Sequence, residues 1–219
     1  MVLLALDATG EHCKLAINRR GETFIKMSRA GRRQLEVVFP LLDELLKSAD
    51  IKREDIDVMA IPVGPGPFTG VRLGATISRA LAAVLETEII GVSSLKAIAA
   101  TAFRKTGRSK IVVANDAKRE QVYFGAYVFC TGGEFIQTVT ADMVSNPTDV
   151  ASPIGSDWAA AGNAWLRCKR QFPEKQQNYS YTGVTECEIT DIIQLALSEI
   201  RSGRKNIGAD PVYFSSPVD

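Results

Sequence analysis

Apolar and polar positions change their spacing several times along the chain, and each change marks an element. Residues 2–6 form a short continuous apolar run that stops at Asp7-Ala-Thr-Gly10, which predicts a buried strand and a turn. Residues 13–17 alternate, Arg20-Gly21 turns the chain, and residues 22–27 alternate again, completing a three-stranded meander. From Gln34 to Lys47 the apolar residues Leu35, Val38, Leu41, Leu42, Leu45 and Leu46 recur at helical spacing. A strand is predicted over 57–63, then a glycine/proline loop, a helix over 71–85, and a strand over 88–92. A second helix follows over 93–103, with Ser93 or Ser94 as its cap.

After Gly107 the alternation restarts, with strands predicted over 110–115, 121–129 and 135–140. The stretch 146–156 is rich in turn residues and weakly specified, residues 189–200 form a late helix closed by Gly203, and the tail from Asp210 reads as a docked extended segment. A β-β-β-α-β-α-β order followed by a second β-β-β start predicts two similar α/β lobes, on element order alone. The expected division is an N-terminal lobe over 1–107 and a smaller C-terminal lobe over 108–219, the late helix being free to pack back on the first.

Composition narrows the function classes. At 219 residues, 46% hydrophobic and 23% charged, the chain is long enough for a substantial core and unlike a disordered or fibrous sequence. With 26 Lys+Arg against 25 Asp+Glu the formal charge is +1, which argues against gripping a nucleic-acid backbone over the whole surface and leaves only local patches. Neither a signal peptide nor a membrane span is legible, and the four scattered cysteines lack C-x-x-C spacing, so a cytoplasmic protein with reduced thiols is expected. His12 is the single histidine, and as a strand neighbour of Cys13 it points to the opposite face, so no metal site is expected.

The richest segment is Gly64-Pro-Gly-Pro-Phe-Thr-Gly-Val-Arg-Leu-Gly74. Its glycines admit conformations closed to other residues, and Thr69 or Gly70 would open a helix whose first N–H groups favour an anion. Two readings stay open: a phosphate or carboxylate cradle, or a rigid strand-to-helix turn capped by Thr69. No Gly-Lys-Ser/Thr follows, so this is not a Walker loop. The helix behind it carries only Arg72 and Arg79 as charges, and Gly70, Gly74, Ser78 and Ala82 form a smooth stripe every fourth residue. That stripe is either buried in its own lobe or turned to a partner, with Val37 and Phe39 of the first helix offering a second apolar face. Asp7, with Thr9 and Gly10 beside it, is a candidate phosphate or metal-phosphate contact or else an Asx-turn, and Asp116 occupies the analogous place in the second half. No Ser/His/Asp or Cys/His set can be assembled, so no catalytic residue is assigned. Arg29, Arg32 and Arg33 precede the first long helix as a solvated cluster or a contact for an acidic partner or RNA.

Leu-Ala-Leu-Asp7 with the Cys13 hairpin, the glycine/proline loop through Arg72, Ile90-Gly-Val-Ser-Ser-Leu95, Asp116-Ala-Lys-Arg-Glu-Gln-Val-Tyr123 and Asp210-Pro-Val-Tyr213 occur in order over nearly the whole chain. In these blocks the sequence resembles the bacterial TsaB (YeaZ) family of tRNA threonylcarbamoyladenosine biosynthesis proteins. The resemblance implies a two-lobed actin-like, sugar kinase-like α/β fold with ribonuclease H-like lobes. It further implies a non-catalytic partner of TsaD, the subunit that transfers the threonylcarbamoyl group to adenosine 37 of tRNA, with TsaE, an ATPase, joining the assembly. Such chains would bind TsaD, or a second copy of themselves, through the helices at 34–47 and 70–85, touch tRNA only indirectly and carry no cofactor.

On that basis the expected interface comprises Leu35, Val38 and Leu42 on the first helix and Gly70, Arg72, Gly74, Ser78, Leu81 and Ala82 on the second. The expected phosphate or nucleotide contacts are Asp7, Thr9, Gly64, Gly66 and Thr69. The chain departs from the family pattern at Ala8, Gln34, Lys118 and Phe214-Ser215. Two other functions are weighed. A stand-alone phosphotransferase of the sugar-kinase type is motivated by Asp7 and the glycine loop, but such kinases carry inserts for which this chain has little room. An RNA-binding module would require a basic surface with aromatic platforms.

Overall fold

The computed structural model describes all residues except Arg32, Pro67, 131–135, 204–207, 209, 213 and 215–219. The start of the third strand of the second meander at Phe135, and Tyr213 and Ser215 of the tail, thus lie outside the described residues. Contacts divide the chain into two units, Met1–Val92 with Ile189–Val212, and a second that holds Ser93–Glu188.

In the first unit β1 (Val2–Asp7), β2 (His12–Arg19) and β3 (Glu22–Arg29) form the meander, then α1 (Gln34–Ala49), β4 (Val58–Pro62), α2 (Phe68–Leu85) and β5 (Glu88–Val92) follow. The strand order is β3-β2-β1-β4-β5. β1 pairs antiparallel with β2 and parallel with β4, in a register that sets Leu3 opposite Val58 and Ala5 opposite both Ala16 and Ala60. Leu4, Leu6, Cys13, Leu15, Ile17, Met59 and Ile61 therefore share one face, and α1 and α2 cover it with Val38, Leu42, Leu45, Ala75 and Ile77. Leu3, Ala5 and Ala16 on the opposite face are equally buried. The late helix, α6 (Ile189–Arg201), packs on β1, β2, β4 and β5 and buries Ile189, Ile192, Ile193 and Leu195. Strands covered on both faces read as unbroken apolar runs, as residues 2–6 and 58–62 do.

The second unit contains α3 (Ser94–Thr106), β6 (Lys110–Lys118), β7 (Gln121–Phe129), β8 (Ile136–Ser145), β9 (Ala159–Ala161), the short helices α4 (Ala164–Arg167) and α5 (Glu174–Gln177), and β10 (Ser180–Tyr181). Its strand order is β10-β9-β6-β7-β8, the same arrangement as the first sheet with β6 in the place of β1. Val112, Val122, Phe124, Trp158, Trp165 and Phe172 form its core, where Trp165 and Phe172 stack at 4.1 Å. The boundary expected at 107/108 is corrected to 92/93. α3 packs on β6 and β7, and its Phe103 ring stacks on Phe129 at 4.6 Å, so its apolar face belongs to the second sheet. Ser93 is the cap of α3: its Oγ accepts the Lys96 N–H at 3.0 Å and donates to Asp142 Oδ2 at 2.6 Å. Tyr127 donates its hydroxyl to the other Asp142 oxygen, and burial pushes the Asp142 carboxyl above its ordinary range.

β9 and β10 are absent from the expected elements because three alanines and a dipeptide show no alternation, and β8 runs five residues beyond its expected end.

Candidate partner-binding face

α1 and α2 both return the chain from the end of one strand to the start of a strand parallel to it, so they lie side by side in the same direction on one sheet face. The 3.6-residue period sends Val38, Leu41, Leu42, Leu45 and Leu46 of α1 inward. On its outer side it leaves Leu35 55% and Phe39 46% exposed, with Pro40 beside them. α2 turns Thr69, Arg72, Thr76, Arg79, Ala80 and Ala83 outward, and Val84 is 81% exposed. Three large apolar side chains thus remain open to water on the outer surfaces of the two helices, which makes this side the candidate contact surface.

The small-residue stripe has the opposite fate. Gly74, Ser78 and Ala82 are buried, Ser78 completely, and so are Val38 and Leu42. These five are corrected from interface to core: the stripe lets α2 approach its own lobe closely. Gly70 gives the physical reason, because a Cβ there would lie 2.5 Å from the Thr9 carbonyl oxygen and 2.9 Å from Thr9 Cα. The helix rests on the Asp7–Thr9 turn, and Gly74 follows it over Ala8. Of the residues expected at the interface, Leu35 and Arg72 are exposed, and Gly70 and Leu81 are half-buried.

The glycine/proline loop is held from within the same unit. Gly64 has a φ of +100°, its peptide to Pro65 is cis, and a Cβ on it would meet the Val212 carbonyl at 3.1 Å. Val212 donates its N–H to the Val63 carbonyl at 2.8 Å, and Asp210 pairs with Arg79 of α2. Gly66 is half-buried against Val71. The helix opens at Phe68, so Thr69 is an exposed first-turn residue and not the cap.

Asp7 is 2% exposed. Its Oδ1 accepts the Thr9 N–H at 2.9 Å and the Thr9 hydroxyl at 2.6 Å, and its Oδ2 lies 3.5 Å from Lys14 Nζ. The carboxylate thus forms an Asx-turn and an internal ion pair. Gln34, at the start of α1, donates to the Gly10 carbonyl at 2.9 Å and fastens that helix to the same turn. Cys13, on β2, is buried in the core between the sheet and the helices that cover it. Burial first, and the Asp7 charge second, push its thiol up to about 11, so it is no nucleophile. Among the described residues no three His, Cys, Asp or Glu side chains converge as metal ligands, and no helix is long and apolar enough to cross a membrane. In the arginine cluster Arg29 pairs with Glu11 and Arg33 with Glu36, while Arg32 lies outside the described residues.

Val84 was not among the expected contacts. In a helix apolar nearly all round, sequence spacing does not separate an open valine from a buried one.

Two sheets of the same strand order with crossover helices define an α/β protein of the two-lobed actin-like, sugar kinase-like class. The family model described as TsaD, tRNA N6-adenosine threonylcarbamoyltransferase, matches residues 26–206. The tRNA threonylcarbamoyladenosine biosynthesis protein TsaB of Haemophilus influenzae is 30% identical, over 100% of this chain and 95% of its own. The Escherichia coli protein of that name is 30% identical over 75% of this chain and 72% of its own. Among solved structures, YeaZ from Pseudomonas aeruginosa superposes with a TM-score of 0.87 at 28% identity, covering 97% of this chain and 99% of that one. A second Pseudomonas aeruginosa structure, described as an uncharacterized protein with similarity to peptidase YEAZ, gives 0.89 at 28% identity over 98% and 99%. The chain belongs to the TsaB (YeaZ) family.

Proposed function

We propose that this chain is a non-catalytic subunit in the formation of threonylcarbamoyladenosine at position 37 of tRNA, acting in the cytoplasm by holding a TsaD-like catalytic subunit. Family membership supports involvement in tRNA threonylcarbamoyladenosine biosynthesis. The observation that carries the subunit role is the pair of parallel helices with Leu35, Phe39 and Val84 exposed on their outer side. Exposed apolar side chains set among polar ones on two helices gain most when a matching surface covers them. A TsaE-like ATPase joins the assembly, and without the catalytic subunit the same face pairs two copies of this chain.

The commitment of Asp7 to Thr9 and Lys14 argues against the alternative, a stand-alone phosphotransferase, because its strand-end carboxylate is spent on the fold. The test is association. Phe39→Glu/Val84→Glu places two charges in the face and is expected to weaken binding to the TsaD-like subunit at least about tenfold, as loss of central apolar anchors does. Unchanged binding in sedimentation or calorimetry would contradict the reading.

A further inference from the structure

The second unit carries a charge cluster that the partner face does not use. β6 and β7 are joined by a two-residue turn, with Lys118 paired to Gln121. Lys118, Arg119 and Glu120 all have positive φ, at 69°, 48° and 62°. Turns of this hand ordinarily use Asn-Gly, and non-glycine residues there are strained by about 1 kcal/mol or more each. Asp116 braces the turn: it accepts the Lys118 N–H at 2.8 Å and Lys118 Nζ at 3.0 Å, and it pairs with Arg167 of α4. The approach of α4 is itself clamped. Asn163 Oδ1 accepts the Asp116 N–H at 2.8 Å, and Asn163 donates its own N–H to Asn115 Oδ1 at 2.9 Å.

Between these segments lies a concavity of about 250 Å³ whose charged lining is Asp116, Lys118, Arg119, Glu120 and Arg167. Lys169 and Arg170, both exposed, sit in the turn between its lining residues Cys168 and Gln171. The lining itself holds three cations and two carboxylates, and with Lys169 and Arg170 the segments 116–120 and 167–171 together carry five cations and two carboxylates, in a chain whose whole excess is +1. Burial raises the Asp116 carboxyl, but the Lys118 hydrogen bonds and the charges of Lys118 and Arg167 outweigh it and hold the group ionised. Asp116 thus fixes Lys118 and Arg167 in place, while the guanidinium of an arginine keeps further donors for an outside acceptor.

We propose that this braced basic concavity is a phosphate-backbone site for RNA, through which the chain touches the tRNA directly. The inference rests on the tRNA-pathway reading above and revises the expectation of an indirect contact. Cations spread over two elements suit a polymer of phosphates better than one small anion. Val122 and Ala164, the aliphatic lining residues, are buried, so the cluster lacks the exposed apolar anchor that a protein hot spot requires.

The test uses the full chain and a fluorescent unmodified tRNA transcript, followed by anisotropy across a salt series. Affinity is expected to fall with salt. Arg119→Glu/Arg170→Glu is expected to bind at least about tenfold more weakly, with a log–log salt slope shallower by about 2. Phe39→Glu/Val84→Glu is expected to bind the transcript as the parent does. No binding by the parent chain at low salt, or equal affinity in the Arg119/Arg170 variant, would overturn the proposal. So would full displacement by low-millimolar inorganic phosphate, which marks a small-anion pocket, or tighter binding of polyglutamate than of tRNA, which marks an acidic-protein site. Association of the Arg119/Arg170 variant with the TsaD-like subunit is measured in parallel and is expected to be unchanged. Failure of the parent chain in that parallel assay would strike the functional reading alone.

Discussion

Gly70 and Gly74 stand one turn apart on the same helix and carry opposite consequences. A methyl group at Gly70 meets the Thr9 backbone at 2.5 Å, whereas one at Gly74 meets only the Ala8 Cβ at 4.0 Å. Gly70→Ala is therefore expected to lower unfolding stability by about 1–3 kcal/mol through overpacking. Gly74→Ala is expected to hold stability or raise it by up to about 1 kcal/mol, from helix propensity. Urea titration of both variants checks the order, and a reversed order would contradict the packing of α2 on the Asp7 turn.

Asp116 offers a pH test at the same scale. Its folded-state pKa is lowered, so its contribution is present above the ordinary carboxylate range and is lost as pH falls through the depressed value. Asp116→Asn is expected to cost about 0.5–1 kcal/mol at neutral pH, as partly exposed ion pairs do, and the gap should close on acidification. A gap that widens toward acid would contradict the pairing with Lys118 and Arg167.

At the scale of elements, α1 and α2 separate fold from function. Val84 lies largely in solvent and Phe39 is half-exposed, so Phe39→Glu and Val84→Glu are expected to change unfolding stability by no more than about 1 kcal/mol each. Ser78→Glu, at a position expected from the sequence to lie in the interface, drives a charge into a site with no exposed surface and is expected to cost several times as much. Thermal denaturation compared with circular dichroism distinguishes the two groups.

The same contrast explains what was legible. α1 is amphipathic, so its buried side and its limits follow from spacing to within two residues. α2 is small or apolar on every side, and which stripe was inward depended on Thr9, some sixty residues earlier, which no local pattern reports. The Asx-turn at Asp7 was one of two open readings and is the one its bonds to Thr9 support. The basic cluster was invisible for a similar reason: Asp116 and Arg167 meet across 51 residues, joined by strands as short as the alanine triplet of β9.

For the molecule as a whole, the two units repeat one strand order while differing in what joins the strands. Between β4 and β5 stands the 18-residue α2, and between β9 and β10 only the four-residue α4 and α5. The first unit leaves Leu35, Phe39 and Val84 open on the outer side of its helices, while the second gathers charge in its short turns. Asp7 and Asp116, near the ends of β1 and β6, are both paired with cations.

Reconstituted tRNA modification tests the central claim most directly. TsaD-like and TsaE-like subunits, threonylcarbamoyl donor and unmodified tRNA are combined with the parent chain, with Phe39→Glu/Val84→Glu, or with no chain at all. Formation of threonylcarbamoyladenosine is expected to require the parent chain and to drop for the variant toward the level seen without it. Equal product with the chain omitted, or full activity of a variant that no longer binds the catalytic subunit, would contradict the account.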